Sequence, residues 1–295
     1  MALIDSHYHL DREVLPVPDL LAAMDRADIG RTALIATMSE AVTFAAWKQP
    51  LLLGFRLLLS ADLEGSAHQA GVFFYRHAVE RDGTVDILGE SYEVKAQPRN
   101  DDVLAAVKAH PDRFYGWIFV NPVGPVDPLD EIERCRKQPG MIGVKAHPYW
   151  HDYPVERLTN TAARCSELGL PLLVHLGPET ETNCRVLPDL FPKLRIVYAH
   201  AGTPYLRDAC ALAAERPNVF VDLARPDYVD LRSARLALRL AGPDKVLFGT
   251  DGPYRVRQSF ADFGPSLRIL NGLKLSERDR ERVAGKNFLE LTGQA

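Results

Sequence analysis

At 295 residues, with 46% hydrophobic and 25% charged residues, the chain has the composition of a globular protein large enough to bury a core without disulfides. Its formal net charge of −4 is spread along the sequence, with no Lys/Arg-rich stretch, which argues against nucleic acid or an anionic membrane as partner. The four cysteines, Cys135, Cys165, Cys184 and Cys210, show no C-x-x-C spacing, no apolar run reaches the length of a membrane span, and Met-Ala-Leu-Ile runs directly into Asp5 without a signal peptide. A cytoplasmic location is expected.

Short β-branched or aromatic runs alternate with amphipathic helical stretches from one end to the other. Strands are predicted at Ala2–Asp5, Thr32–Thr37, Phe114–Asn121, Ile142–Ala146, Leu172–His175, Arg195–Ala199, Val219–Leu223 and Lys245–Gly249. Helices are predicted between them, at Asp19–Ala27, Asp101–Ala109, Pro128–Lys137, Val155–Leu168, Tyr205–Glu215 and Leu231–Leu240. Alternating β and α units imply a parallel sheet covered by helices. No Gly-x-Gly-x-x-Gly follows the first strand, which weakens the nucleotide-binding alternative. The expected fold is α/β, a (β/α)₈ TIM barrel. Residues 1–295 are read as one barrel domain with a long helical insertion at about 38–100, between strands 2 and 3. That insertion holds an apolar segment around Trp47–Leu59 and an aromatic cluster at Phe73, Phe74 and Tyr75. It is expected to pack in part across the C-terminal mouth of the barrel, against its own site or that of a second copy in a homodimer.

Chemistry-bearing residues gather at strand ends. In Asp5-Ser6-His7-Tyr8-His9 the period of an extended chain puts His7 and His9 on one face, Tyr8 on the other. Leu172–His175 and Ile196–His200 each end an apolar strand with a histidine, and Val246–Asp251 ends one with a carboxylate. A barrel brings such ends around one mouth, and a His-rich set with one Asp suits Zn²⁺, with Mn²⁺ or Fe²⁺ as alternatives. Lys145 and His147 repeat the period-2 spacing on the fourth strand. They are expected to face the interior, as substrate contacts or as support for the ligands.

With these motifs the chain resembles the amidohydrolase superfamily, and within it the amidohydrolase 2 family of metal-dependent hydrolases and nonoxidative decarboxylases. The resemblance is carried by Ile4–His9, Gly143–Pro148, Gly169–His175, Ala199–Gly202, Asn218–Asp222, Lys245–Pro253 and the closing Gly285-Lys286-Asn287-Phe288. It implies that His7, His9, His175 and Asp251 ligate one divalent ion, with His200 beside it as an acid/base or electrophilic group. Some relatives hold two ions bridged by a carboxylated lysine on the fourth strand; Lys145-x-His147-Pro148 looks more like the mononuclear members, and Lys145 is left off the ligand set. The implied reaction is hydrolysis of an amide, ester or lactone carbonyl of a small, carboxylated molecule. Asp251 would act as proton carrier, and Arg255 as a clamp for the substrate's carboxylate. The alternatives are nonoxidative decarboxylation of an aromatic or unsaturated acid on the same ligands, and a noncatalytic metal-binding barrel.

Overall fold

In the computed structural model the described residues are 2–39, 66–79, 83–87, 89–179, 183–253 and 263–295, together with Leu51, Gly54 and Leu58. The chain begins with β1 (Leu3–Leu10), α1 (Val17–Arg26) and β2 (Ile29–Ala36). Next come α2 (Ser66–Arg76) and a hairpin of β3 (Thr84–Ile87) with β4 (Glu90–Glu93). Regular alternation resumes with α3 (Asn100–Ala109), β5 (Phe114–Val120), α4 (Pro128–Cys135), β6 (Met141–Ala146) and α5 (Thr159–Leu168). It continues through β7 (Leu172–Val174), α6 (Asn183–Leu190), β8 (Ile196–Tyr198), α7 (Leu206–Glu215), β9 (Val219–Asp222), α8 (Leu231–Ala241) and β10 (Val246–Leu247).

Eight parallel strands form one sheet in the order β1-β2-β5-β6-β7-β8-β9-β10. The main chain following β10 returns to β1: Ser6 N donates to Phe248 O (3.0 Å), Asp251 N to His7 O (2.7 Å) and His9 N to Gly252 O (2.8 Å). The sheet therefore curls into a (β/α)₈ barrel, as expected from the alternation of elements. No helix among the described residues is long and apolar enough to cross a membrane.

Local chemistry sets the boundaries. Asp127 caps α4, its carboxylate accepting from Leu129 N (2.8 Å), with Pro128 at the first helical position. Asp230 caps α8 through Ser233 N (2.8 Å). Gly169 ends α5 in the left-handed region (φ 65°), so that the chain reverses into β7. β1 runs five residues beyond the predicted strand end at Asp5, because the pairing with β2 continues to Leu10↔Ala36 and the seam with the last strand holds its other side. His7 and His9 thus sit in the strand itself. Between β2 and β5 the structure contains a hairpin as well as a helix, where helices alone were expected. The apolar segment Trp47–Leu59 lies outside the described residues except for Leu51, Gly54 and Leu58.

The barrel interior is filled from below by Trp117 of β5. Its ring is fully buried and its indole N–H donates to Ser6 O (3.0 Å). Gly143 on β6 leaves room for that ring, since a Cβ there would run into the Trp117 ring and lie 2.7 Å from Pro171 O. Neither neighbour can withdraw, one being a packed indole and the other main chain. Gly143→Ala is therefore expected to lower unfolding stability in urea by about 1–3 kcal/mol through these clashes, whereas Gly169→Ala meets open space and should cost about 1–2 kcal/mol, from its left-handed backbone alone.

Candidate metal centre

Above Trp117, the period-2 face of β1 presents two imidazoles to the barrel axis. Each has its Nδ1 tied to an oxygen. His7 Nδ1 lies 2.8 Å from Asp222 Oδ2 and His9 Nδ1 lies 3.2 Å from the carbonyl of Ala36. Carbonyl and carboxylate oxygens only accept, so both rings carry a proton on Nδ1, and in their neutral form both turn an Nε2 lone pair inward. They meet Asp251, whose Oδ1 lies 3.1 Å from His7 Nε2 and 3.3 Å from His9 Nε2. His7 Nε2 is buried and has no hydrogen-bond partner among the described residues.

Two lone pairs facing one carboxylate oxygen repel unless a proton or a metal cation stands between them; with no ion, burial and Lys145 press the His7 imidazole down, yet Asp222 and Asp251 raise it above its ordinary value. Donors each about 2.1 Å from a common ion are roughly 3–3.4 Å apart, which matches both separations. The residues present therefore fit a divalent ion. His7, His9 and Asp251 form a group whose donor atoms all lie within 4.8 Å of one another. His7, His200 and Asp222 form a second such group. Its carboxylate, however, is already used: Oδ2 by His7, and Oδ1 by the backbone N–H groups of His200 (2.7 Å) and Ala224 (3.0 Å).

His175 and His200 are at the mouth as expected, but their ring nitrogens face each other. His200 Nδ1 lies 3.1 Å from the Ala224 carbonyl and its Nε2 3.1 Å from His175 Nδ1. His175 Nε2 lies 2.8 Å from the Tyr75 hydroxyl. The structure thus brings together three of the four expected ligands, with the fourth satisfied by other partners. Lys145 and His147 face the interior as their spacing implied. Lys145 is fully buried, and its Nζ has no hydrogen-bond partner among the described residues. His147 Nδ1 accepts from Trp150 N (3.1 Å), and its ring centroid lies 4.0 Å from that of His175. Arg255 lies outside the described residues.

Burial dominates the electrostatics of these groups. It pushes His200 down to about 4 and His175 well below the ordinary imidazole range, so both are neutral at physiological pH. It pushes Lys145 down to about 8, against the opposing pull of Asp222 and Asp251. Burial would raise the Asp251 carboxyl, yet His200, His7 and His9 together outweigh it and hold the group well below the carboxylate range. Asp222 is held low against burial by His7 in the same way.

Several of these partners were not singled out from sequence. Asp222 ends a hydrophobic strand just as Asp251 does, and that was the available signal. Arg225, whose Nη1 lies 3.3 Å from Asp251 Oδ2, carries φ 64°, a backbone state no sequence pattern announces for arginine. Tyr75 arrives from α2, in the segment between β2 and β5, so part of the 38–100 segment does reach the mouth.

The chain matches the amidohydrolase family over residues 4–291 and belongs to it. It is accordingly an enzyme of a family that holds hydrolases and decarboxylases and typically binds a divalent metal ion. Among solved structures it resembles 5-carboxyvanillate decarboxylase from Sphingomonas paucimobilis, with a TM-score of 0.62, 16% identity and 99% of each chain covered. It also resembles a Pseudomonas putida protein assigned as a 2-pyrone-4,6-dicarboxylic acid hydrolase (TM-score 0.64, 18% identity, 99% of this chain and 98% of that one). A third likeness is to 2,6-dihydroxybenzoate decarboxylase from Rhizobium (TM-score 0.57, 16% identity, 99% of each chain). At these identities the likeness is one of fold.

Two outcomes are expected from this geometry. In Asp222→Asn one carboxylate oxygen becomes an NH₂ group, which must face either the His7 N–H or two backbone N–H groups. The His7 ring then loses its orientation, and metal affinity should fall by about 10–100-fold in a chelator-competition titration while the fold persists. The second outcome concerns His151, which donates from Nε2 to Lys95 O (3.2 Å) and is pushed down to about 4 by burial. An unfolded chain protonates this ring below about 6.5 and the folded one does not, so unfolding takes up a proton in that window. Stability should fall as pH drops from about 6.5 to about 4, and thermal melts of His151→Gln should show a shallower fall over the same range.

Proposed function

We propose that this protein is a metal-dependent hydrolase acting on an amide, ester or lactone bond of a small carboxylated molecule. The reading is carried by one observation: the Nε2 lone pairs of His7 and His9, fixed from behind by Asp222 and Ala36, converge on Asp251 Oδ1. Three imidazoles and a carboxylate are a donor set suited to Zn²⁺. His7, His9 and Asp251 would hold the ion, with His175, the next imidazole along the mouth, as the fourth expected donor. The ion, when bound, supplies Lewis acidity, polarising a carbonyl and acidifying water.

The remaining work belongs to the chain's own groups. Asp251 is ionised, so its carboxylate takes a proton from the attacking water and returns it to the leaving group. Arg225 holds the far oxygen of that carboxylate and fixes its direction. His200 is neutral with its Nδ1 proton committed to Ala224, so it has no proton to donate, and its Nε2 lone pair would orient the water once His175 turns from it to the ion. This favours hydrolysis over decarboxylation, because replacing CO₂ on carbon needs a ready acid at the site. Lys145, a buried ammonium without a hydrogen-bond partner among the described residues, would take a substrate carboxylate, with His147 beside it. The three neighbours named above are called after carboxylic acids, in keeping with that reading.

Elemental analysis of the purified protein should give about one divalent ion per chain, and His7→Ala should lose it. His200→Asn should keep the ion and lose turnover by about 10²–10⁴-fold on a panel of lactones, esters and amides bearing a carboxylate. Release of CO₂ without hydrolytic product from carboxylated arenes would replace hydrolysis by decarboxylation. Activity untouched by chelators, with no bound metal, would remove the metal from the mechanism altogether.

A further inference from the structure

Two further imidazoles of the mouth, His147 and His151, are each tied at one ring nitrogen to a main-chain group, and the two ties are of opposite kind. His147 Nδ1 accepts from the N–H of Trp150 (3.1 Å), so the neutral ring carries its proton on Nε2. His151 Nε2 lies 3.2 Å from the carbonyl of Lys95, which only accepts, so this ring carries its proton on Nε2 and keeps a lone pair at Nδ1. Burial holds both rings neutral, pushing His147 well below the imidazole range and His151 down to about 4. The remaining nitrogen of His147 is therefore a fixed donor, and that of His151 a fixed acceptor.

Neither nitrogen has a use inside the protein. Among the described residues His147 Nε2 has no hydrogen-bond partner, and His151 Nδ1 is buried with none. A buried acceptor without a donor destabilises the folded chain, and Lys145 Nζ, one strand period before His147, is buried and unanswered as well. These groups share one side of the mouth. The His147 ring lies 6.5 Å from that of His151 and 4.0 Å from that of His175, and Phe119 stands between His151 (5.7 Å) and His9 (6.4 Å). The carbonyl that fixes His151 is itself held: Lys95 N donates to Met38 O (2.7 Å), and Asn121 Nδ2 to the next carbonyl, that of Ala96 (2.8 Å). Turning the His151 ring over to satisfy Nδ1 would give up the bond to Lys95.

We propose that His151 is a specificity-determining residue: its Nδ1 accepts a hydrogen bond from a hydroxyl or N–H group of the substrate, whose carboxylate is held by Lys145 and the Nε2–H of His147. The proposal rests on the reading that the mouth takes a carboxylated molecule, and it narrows that class to acids bearing an O–H or N–H donor. An acid without one leaves the Nδ1 lone pair buried and unanswered in the complex, which is how a polar site rejects an analogue lacking the matching group.

Glutamine and asparagine at this position separate the two ring nitrogens. His151→Gln keeps a donor for the Lys95 carbonyl and has no acceptor at the place of Nδ1, whereas His151→Asn keeps the acceptor and loses that donor. On pairs of carboxylated lactones, esters and amides with and without a hydroxyl at successive carbons, wild-type kcat/KM should favour the best hydroxylated member by about 10–100-fold. His151→Gln should bring that ratio close to one, and His151→Asn should restore most of it. A wild-type ratio near one for every pair, or an unchanged ratio in His151→Gln, overturns the proposal. A second measurement needs neither turnover nor metal. In the chelator-stripped protein ¹⁵N signals should show both rings protonated on Nε2, and β-hydroxybutyrate should shift His151 Nδ1 where butyrate does not. A proton on His151 Nδ1, or an equal response to the two acids, overturns the proposal as well. If no member of the panel is hydrolysed, the hydrolase reading fails, and this titration alone decides the role of His151.

Discussion

A pair of histidines near the start of a chain and a carboxylate near its end can serve one ion only if the first and last strands of the sheet are joined in a single register. Here that seam is held by main-chain bonds from Ser6, His9 and Asp251, and by Asp5. The Asp5 carboxylate accepts from Thr250 N (2.9 Å) and Thr250 Oγ1 (2.6 Å), 245 residues away, and from His7 N (3.2 Å). Asp5 is fully buried, and burial pushes its carboxyl up to about 7 against the pull of these bonds. The same few residues thus close the barrel and set the distance from His7 and His9 to Asp251. A one-residue slip of β1 would turn both imidazoles out of the interior and bring Ser6 and Tyr8 in.

The four histidines of the mouth divide according to what anchors their far nitrogen. His7 and His9 are held from behind, at Nδ1, by Asp222 and Ala36, and their Nε2 atoms are left facing inward. His200 is held at Nδ1 by Ala224, but its Nε2 is taken by His175. All four are the same residue type at comparable depth. Their roles differ because of carbonyl and carboxylate oxygens on neighbouring strands, and two of those oxygens are main chain. In the proposed centre an imidazole serves the ion when an oxygen behind it fixes its tautomer and its inward nitrogen is left without another partner.

That division explains what the sequence could and could not tell. The strand-ending residues His175, His200 and Asp251, and the alternation of His7 with His9, are one-dimensional patterns, and the barrel does gather them. Lys145 and His147 follow from the same period of two. Ala36 and Ala224 act through carbonyl groups, which leave no mark in a sequence. Asp222 was visible only as another strand-ending carboxylate; its pairing with His7 depends on how β9 faces β1 across the barrel. Tyr75 was one of three consecutive aromatics, and the fold separates them: Phe73 and Phe74 are more than half exposed while Tyr75 is buried against His175. The hairpin at Thr84–Glu93 escaped notice because its strands are only four residues long.

Charge balance carries the argument one step further. The charged side chains nearest the cluster are Asp222 and Asp251 on one side and Lys145 and Arg225 on the other, while burial keeps His175 and His200 neutral. Without an ion the mouth is near neutral. A divalent ion adds two positive charges to a space from which most water is excluded, and at low dielectric such an excess is costly unless an anion enters with the substrate. Lys145, lacking a hydrogen-bond partner among the described residues, is the group whose burial a substrate carboxylate would best compensate. The proposed preference for a carboxylated substrate therefore rests on the site's own electrostatics: two protein carboxylates offset two protein cations, and the charge of the ion would be left for the ligand.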